Sequence, residues 1–160
     1  NTYEIQPVKV IEGENPSNAS WAVHLDNSSP GMVGSERVIE QPLVVAGIVY
    51  FTTFTPAQDI CAGSGDTWVY ALEYDTGRPP ITPVFDLNDD GLFDERDKVT
   101  DSLGVVYNVA AIQVGSGQGS APILHKDTLF VGTTNEDVTA LNVNLPESKA
   151  RITSWKDNTL

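Results

Sequence analysis

The chain has 160 residues, 40% of them hydrophobic and 19% charged, and carries a formal net charge of −13. This length suits one domain with a core of its own, which excludes a chain disordered by composition. Nine Lys and Arg spread along the sequence do not form the basic cluster that phosphate contacts need, so nucleic acid is not an expected partner. No apolar run approaches the length of a membrane helix, so no membrane insertion is expected. Cys61 is the single cysteine, which rules out an internal disulfide and says little about compartment. No signal peptide opens the chain, which starts at Asn1 as if already processed or excised. Two glycosylation sequons, at Asn18 and Asn27, match a motif short enough to arise by chance.

In chain order, residues 1–20 form an N-terminal arm or edge strand, with Tyr3, Ile5, Val8 and Val10 marking an alternating segment. Gly13, Pro16 and Ser17 break it. Residues 21–25 alternate again, and residues 37–40 are a short strand. Residues 43–46 and 48–54 are rich in β-branched and aromatic side chains and join across Gly47, which predicts a hairpin in a buried sheet. Cys61 sits in a loop, and residues 67–74 form a further strand closed by Asp75-Thr76-Gly77. Beyond three prolines comes the loop at 86–97. Strands are then expected over 105–114, 123–124, 128–131, 137–143 and 152–155. Gly115, Gly117 and Gly119 form a connector, since they lack the Lys and Ser/Thr of a phosphate loop. No stretch of ten residues has a clean helical period, so the chain is expected to be all-β and antiparallel.

The loop carries the chemistry. Counted as a twelve-residue calcium loop, 86–97 places Asp86, Asn88, Asp90, Asp94 and Asp97 at positions 1, 3, 5, 9 and 12. Gly91 falls at the sharp turn of position 6. Leu92 falls at position 7, where the ligand is a backbone carbonyl. A hard cation of this size takes six to eight oxygens, and alternate residues of a tight loop aim their side chains at one centre. Asp97 stands where the template has a longer, bidentate Glu, which resembles the dockerin-type variant of the EF-hand loop. The plainer alternative is a surface turn rich in Asp and Asn, residues that favour turns through local hydrogen bonds. Five ligand types and a glycine in register favour calcium.

An internal repeat bears on the fold. Pro42-Leu43-Val44, then residues 48–53 ending in Thr52-Thr53, then Ala71-Leu72 make one copy. Pro122-Ile123-Leu124, then residues 129–134 ending in Thr133-Thr134, then Ala140-Leu141 make the second. Each copy predicts about four short antiparallel strands, the content of one propeller blade. The expected organisation is a β domain over 21–160. Its two blade-like repeats, at about 21–78 and 105–156, are joined by the calcium loop and form a partial propeller or pack as a sandwich.

The order of these motifs resembles the C-terminal β-propeller of type IV pilus tip-associated biogenesis and adhesin proteins of the PilC/PilY type. The residues that carry it are Glu36-Arg37-Val38, Pro42-Leu43-Val44, the run 48–53, Cys61, Trp68, Ala71-Leu72, Phe85 with the loop start, Pro122-Ile123-Leu124, Asn144-Leu145-Pro146 and Ser154-Trp155-Lys156. The resemblance covers about residues 21–156. It implies an exported protein at the cell surface or pilus tip, active in pilus assembly and surface attachment, in some members with calcium in a propeller loop. The implied partners are a pilin or other pilus protein, or the remainder of a larger adhesin, and a host or surface ligand. The chain is far shorter than the family's propeller. The family's loop tied to retraction control lies in an earlier blade, so that role need not carry over.

Nothing else rises to chemistry. His24 and His125 have no metal-ligand spacing around them, Cys61 has no base placed by sequence, and Trp21, Trp68 and Trp155 are expected in packed strands. The expected function is therefore binding, not catalysis. One rival is a structural β subunit of a pilus-like filament that pairs with a separate pilin helix chain. The other is a fragment of a quinone-dependent propeller dehydrogenase, whose blades share the Trp and Ala-Leu pattern. Because two blades cannot close a ring and strands 43–46, 48–54 and 129–131 carry no charge, another polypeptide is expected to cover them, with residues 3–10 as the arm that reaches across.

Overall fold

The computed structural model describes residues 8–9, 21–23, 25, 36–57, 65–135 and 138–146. In chain order the strands are β1 (Val8–Lys9), β2 (Arg37–Val38), β3 (Leu43–Val45), β4 (Ile48–Pro56), β5 (Gly65–Glu73), β6 (Lys98–Thr100), β7 (Val106–Asn108), β8 (Ala111–Ser116), β9 (Ile123–His125), β10 (Thr128–Val131) and β11 (Thr139–Asn142). A single 3-10 turn, Glu95–Asp97, is the only helical element among the described residues. Every pairing is antiparallel.

The main sheet runs β1-β8-β5-β4-β2, with β3 beside the other end of β4. Strands β3, β4, β5 and β8 form an antiparallel meander, and residues 74–110, including the loop, are inserted between its third and fourth strands. A second sheet runs β11-β10-β9, and β6 pairs with β7 as a separate hairpin.

The repeat is visible in register. Leu43 faces Tyr50 and Val45 faces Ile48; in the second copy Ile123 faces Phe130 and His125 faces Thr128. The Ala-Leu pair recurs too, with Tyr50 opposite Ala71 and Phe130 opposite Ala140. The first hairpin turns through Ala46 and Gly47, both left-handed at φ 51° and 85°, which matches the right-handed twist of the strands it joins.

Strands β4 and β5 are apolar almost without alternation because both faces of the main sheet are covered. One face carries Ile48, Tyr50, Val69, Ala71, Ile112 and Val114, which pack with Leu129 and Val131 of the second sheet and with Val84, Phe85 and Val143. The other face carries Val49, Phe51, Trp68, Tyr70 and Leu72, capped by Trp21, Val23 and Leu25. The Phe51 and Tyr70 rings stack 4.9 Å apart. Within this second layer the Glu36 carboxylate is buried and accepts hydrogen bonds from Thr53 Oγ1 (2.5 Å) and Tyr70 OH (2.9 Å).

Several expectations change. Residues 105–114 are two strands, β7 and β8, because alternation breaks at Ala110 and Ala111, which pack on the same face. Strand β8 joins the first copy's sheet rather than the second's. The alternation at residues 21–25 is a packing pattern: the described residues there lie outside any strand and lay their apolar side chains over the sheet. Within the expected arm at residues 3–10, Val8 and Lys9 pair with Ile112 and Ala111 of this same chain, and the rest of the arm lies outside the described residues. Strands β4 and β10 are covered within the chain as well, so their lack of charge does not call for an outside partner. The expected strand at 152–155 lies outside the described residues.

Candidate functional site

The loop at 86–97 is held at both ends. On entry, Phe85 bridges Val143 at the end of β11, the Asn144 N–H donates to the Val84 carbonyl (2.8 Å), and Asn144 Nδ2 donates to the Pro83 carbonyl (3.3 Å). Phe85 and Val84 are buried, so the loop springs from the floor between the two sheets. On exit, the chain passes through the 3-10 turn into β6.

Asp97 joins the two ends. Its side chain is 1% exposed; Oδ1 accepts the Leu87 N–H (2.8 Å) and Oδ2 accepts the Asp94 N–H (2.9 Å). The Asp94 side chain in turn accepts the Arg96 N–H (2.8 Å), which completes a capping box around the turn.

Inside the loop, the side chains fold back on the backbone. Asp86 Oδ2 accepts the Gly91 N–H (2.8 Å), and Asp90 Oδ1 accepts the Leu92 N–H (2.9 Å). The Asp90 N–H lies between Asp86 Oδ1 (3.2 Å) and Asn88 Oδ1 (3.0 Å), so oxygens from loop positions 1 and 3 converge on one point. The curl requires left-handed backbone at Asp89 (φ 56°) and Gly91 (φ 77°). Space is open around Gly91, so conformation rather than crowding selects glycine there.

Sequence reasoning passed over Arg96, at position 11. Its guanidinium reaches Asp90 Oδ2 through Nη1 (2.7 Å) and Asp94 Oδ2 through Nη2 (2.9 Å), while Nε donates to Asp94 Oδ1 (3.1 Å). These hydrogen bonds, with the Arg96 N–H, hold the Asp94 carboxyl below the usual carboxylate range, and the same contacts raise the guanidinium. The available signal was a lone cation between ligand positions. In this arrangement no group of three His, Cys, Asp or Glu side chains is poised to hold a metal among the described residues. Asp90 and Asp94 are turned toward Arg96, and positions 3 and 7 contribute an amide and a carbonyl.

The donor chemistry nevertheless fits calcium. Every candidate ligand is oxygen: Asp86, Asn88, Asp90, Asp94, Asp97 and the Leu92 carbonyl. A carboxylate oxygen that accepts one backbone N–H keeps a second lone pair, so the bonds that shape the loop do not use up its acceptors.

The remaining candidates stay apart. His125 is exposed on β9, while His24, Cys61 and Trp155 lie outside the described residues. The glycine connector is structural: the Gly117 carbonyl accepts Thr67 Oγ1 (2.5 Å), and Gly119 bridges Thr133. An open groove of about 820 Å³ runs beside Glu73, Tyr74, Ile81 and Asn144, and among the described residues its lining contains no His, Cys, Lys or Arg.

No family model matches the chain. Over 91 residues it is 31% identical to the type IV pilus biogenesis factor PilY1 of Pseudomonas aeruginosa, in strain PAO1 and in strain PAK alike. The match covers 56% of this chain and 8% of the relative, so the chain spans a small part of the length of these relatives. The crystal structure of the Pseudomonas aeruginosa PilY1 C-terminal domain aligns with a TM-score of 0.54 at 22% identity, covering 73% of this chain and 22% of that one. The all-β, antiparallel, propeller-like fold is therefore shared with that domain. Over these 91 residues the chain is similar in sequence to PilY1, and in fold it is similar to the PilY1 C-terminal domain.

Proposed function

We propose that this chain is an exported, calcium-binding β module of the type IV pilus machinery, acting in pilus assembly and surface attachment by binding protein rather than by catalysis. The joint likeness in sequence and fold to a type IV pilus biogenesis factor carries this reading. The two register-matched hairpins serve as propeller-like blades, one completed by β8. Outer strands β3 and β9 expose Val44 (60%) and Ile123 (66%), which supports a place in a larger assembly beside a pilin, another pilus protein or further adhesin domains. Among the described residues no helix is long and apolar enough to cross a membrane.

Calcium takes a structural part. Asp86, Asn88, Asp90, Asp94, Asp97 and the Leu92 carbonyl hold it, and the ion ties the inserted segment to both sheets. Titration calorimetry tests this part: wild type binds one calcium with a dissociation constant in the range of about 10⁻⁶ to 10⁻³ M, and a chelator lowers the melting temperature. Unchanged binding in both Asp86→Ala and Asp90→Ala would place the ion elsewhere. For the pilus role, the measurement is sheared surface pili and attachment in cells lacking the chain. Normal piliation and normal attachment together would refute it.

A further inference from the structure

Arg96 sits where a cation is wanted, and it is part of the chain. It bridges the side chains of loop positions 5 and 9, Asp90 and Asp94, by contacts of 2.7 to 3.3 Å. A guanidinium is planar and presents a fork of donors, so one side chain engages two carboxylates at once. Its tether is short: the Arg96 N–H is itself bonded to Asp94 Oδ1, so the side chain does not diffuse away when displaced. Two residues on, the Lys98 ammonium is paired with Glu95 (2.6 Å), which is not a candidate ligand.

We propose that Arg96 is a built-in competitor for the calcium site, so that calcium binds only by displacing its guanidinium from Asp90 and Asp94. This deepens the calcium reading above and rests on it. The docked arginine neutralises two of the carboxylates and holds the loop in nearly its binding curl. It thereby lowers affinity in proportion to the fraction of molecules in which it is docked. The site is thus tuned to respond at high calcium, as outside the cell, rather than to scavenge trace ion.

Displacement has consequences that a merely decorative surface arginine lacks. Removing the guanidinium from a pair of exposed carboxylates should tighten calcium binding by about three- to tenfold at 0.15 M salt. Lys98→Gln removes one positive charge from the same neighbourhood without vacating a ligand, and should change affinity by less than about twofold, since that charge is already paired with Glu95 and does not bridge Asp90 and Asp94 as Arg96 does.

The full chain, its Arg96→Gln variant and its Lys98→Gln variant would be titrated with calcium by calorimetry at one ionic strength. In parallel, the Arg96 Nε–H signal of the wild type would be followed by NMR during titration. Tighter binding in Arg96→Gln alone, with loss of the hydrogen-bonded Nε–H signal as calcium is added, is the expected result. Binding by Arg96→Gln where wild type shows none at millimolar calcium would support the same conclusion more strongly. Equal affinities for wild type and Arg96→Gln, or equal gains from both variants, would overturn the competitor role and leave the calcium site standing. No calcium binding by wild type or Arg96→Gln would remove the site and this inference together, leaving Arg96 a permanent structural cation.

Discussion

Asp97 is the residue on which the loop closes, and Asp97→Ala isolates that role. The side chain is buried and accepts two backbone N–H groups, from Leu87 and Asp94, which lie ten and three residues before it in the chain and reach the same carboxylate. A hydrogen bond to a charged group is worth about 1.5–3 kcal/mol. Two such bonds set an upper limit near twice that, reduced because water reaches the half-exposed loop and because one carboxylate fewer eases repulsion in an acidic segment. A net loss of about 2–3 kcal/mol follows, which for a chain of this size lowers the melting temperature by about 4–12 °C. The assay is thermal unfolding followed by circular dichroism in excess chelator, which takes calcium out of the comparison. Glu95→Ala, whose side chain is exposed and paired only with Lys98 among the described contacts, serves as the control and should shift the midpoint by no more than about 2 °C. If Asp97→Ala melts with the wild type in chelator but falls behind in calcium, Asp97 is a ligand and not the clasp, and the reasoning from its two N–H contacts fails.

Three further predictions concern the frame around the loop. Tyr70→Phe should cost about 1–3 kcal/mol by urea titration because it removes a donor from the buried Glu36 carboxylate, whereas Tyr50→Phe should be neutral or stabilising because the buried Tyr50 hydroxyl has no hydrogen-bond partner among the described residues. Burial pushes both phenols above their ordinary value, with Glu36 adding to the effect at Tyr70; the native state therefore keeps protons that the unfolded chain releases. Stability from these groups is complete below about pH 10 and declines above it, so alkaline unfolding should accompany their ionisation at 295 nm, and early titration of all five tyrosines in the folded chain would contradict it. Gly77→Ala should displace Trp21, since a Cβ there would lie 2.4 Å from the indole at a backbone φ of +67°; a red shift in tryptophan fluorescence and a lower melting temperature are expected, and an unchanged spectrum would show that the indole does not pack there.

The sequence alone determined the all-β class, both hairpins and the order of the loop's candidate ligands. These features are local: turn residues, β-branched runs and alternate carboxylates are legible at short range, and the matching registers of the two copies follow from their matching motifs. Tertiary structure decided what covers what. The partition of 105–114 into β7 and β8 depends on which neighbour each half pairs with, and β8 finds its partner in β5, far back in the chain. Strand β6 was passed over because three residues carry too little pattern to identify a strand. The uncharged faces of β4 and β10 look unprotected in one dimension and are closed in three, by the packing of the two sheets on each other, by Trp21, Val23 and Leu25 and by the segment entering the loop. At the loop itself, sequence spacing names the oxygens, but only folding brings the Arg96 guanidinium onto two of them and buries Asp97 between the loop's ends, because side-chain direction is set by backbone curvature that spacing does not encode.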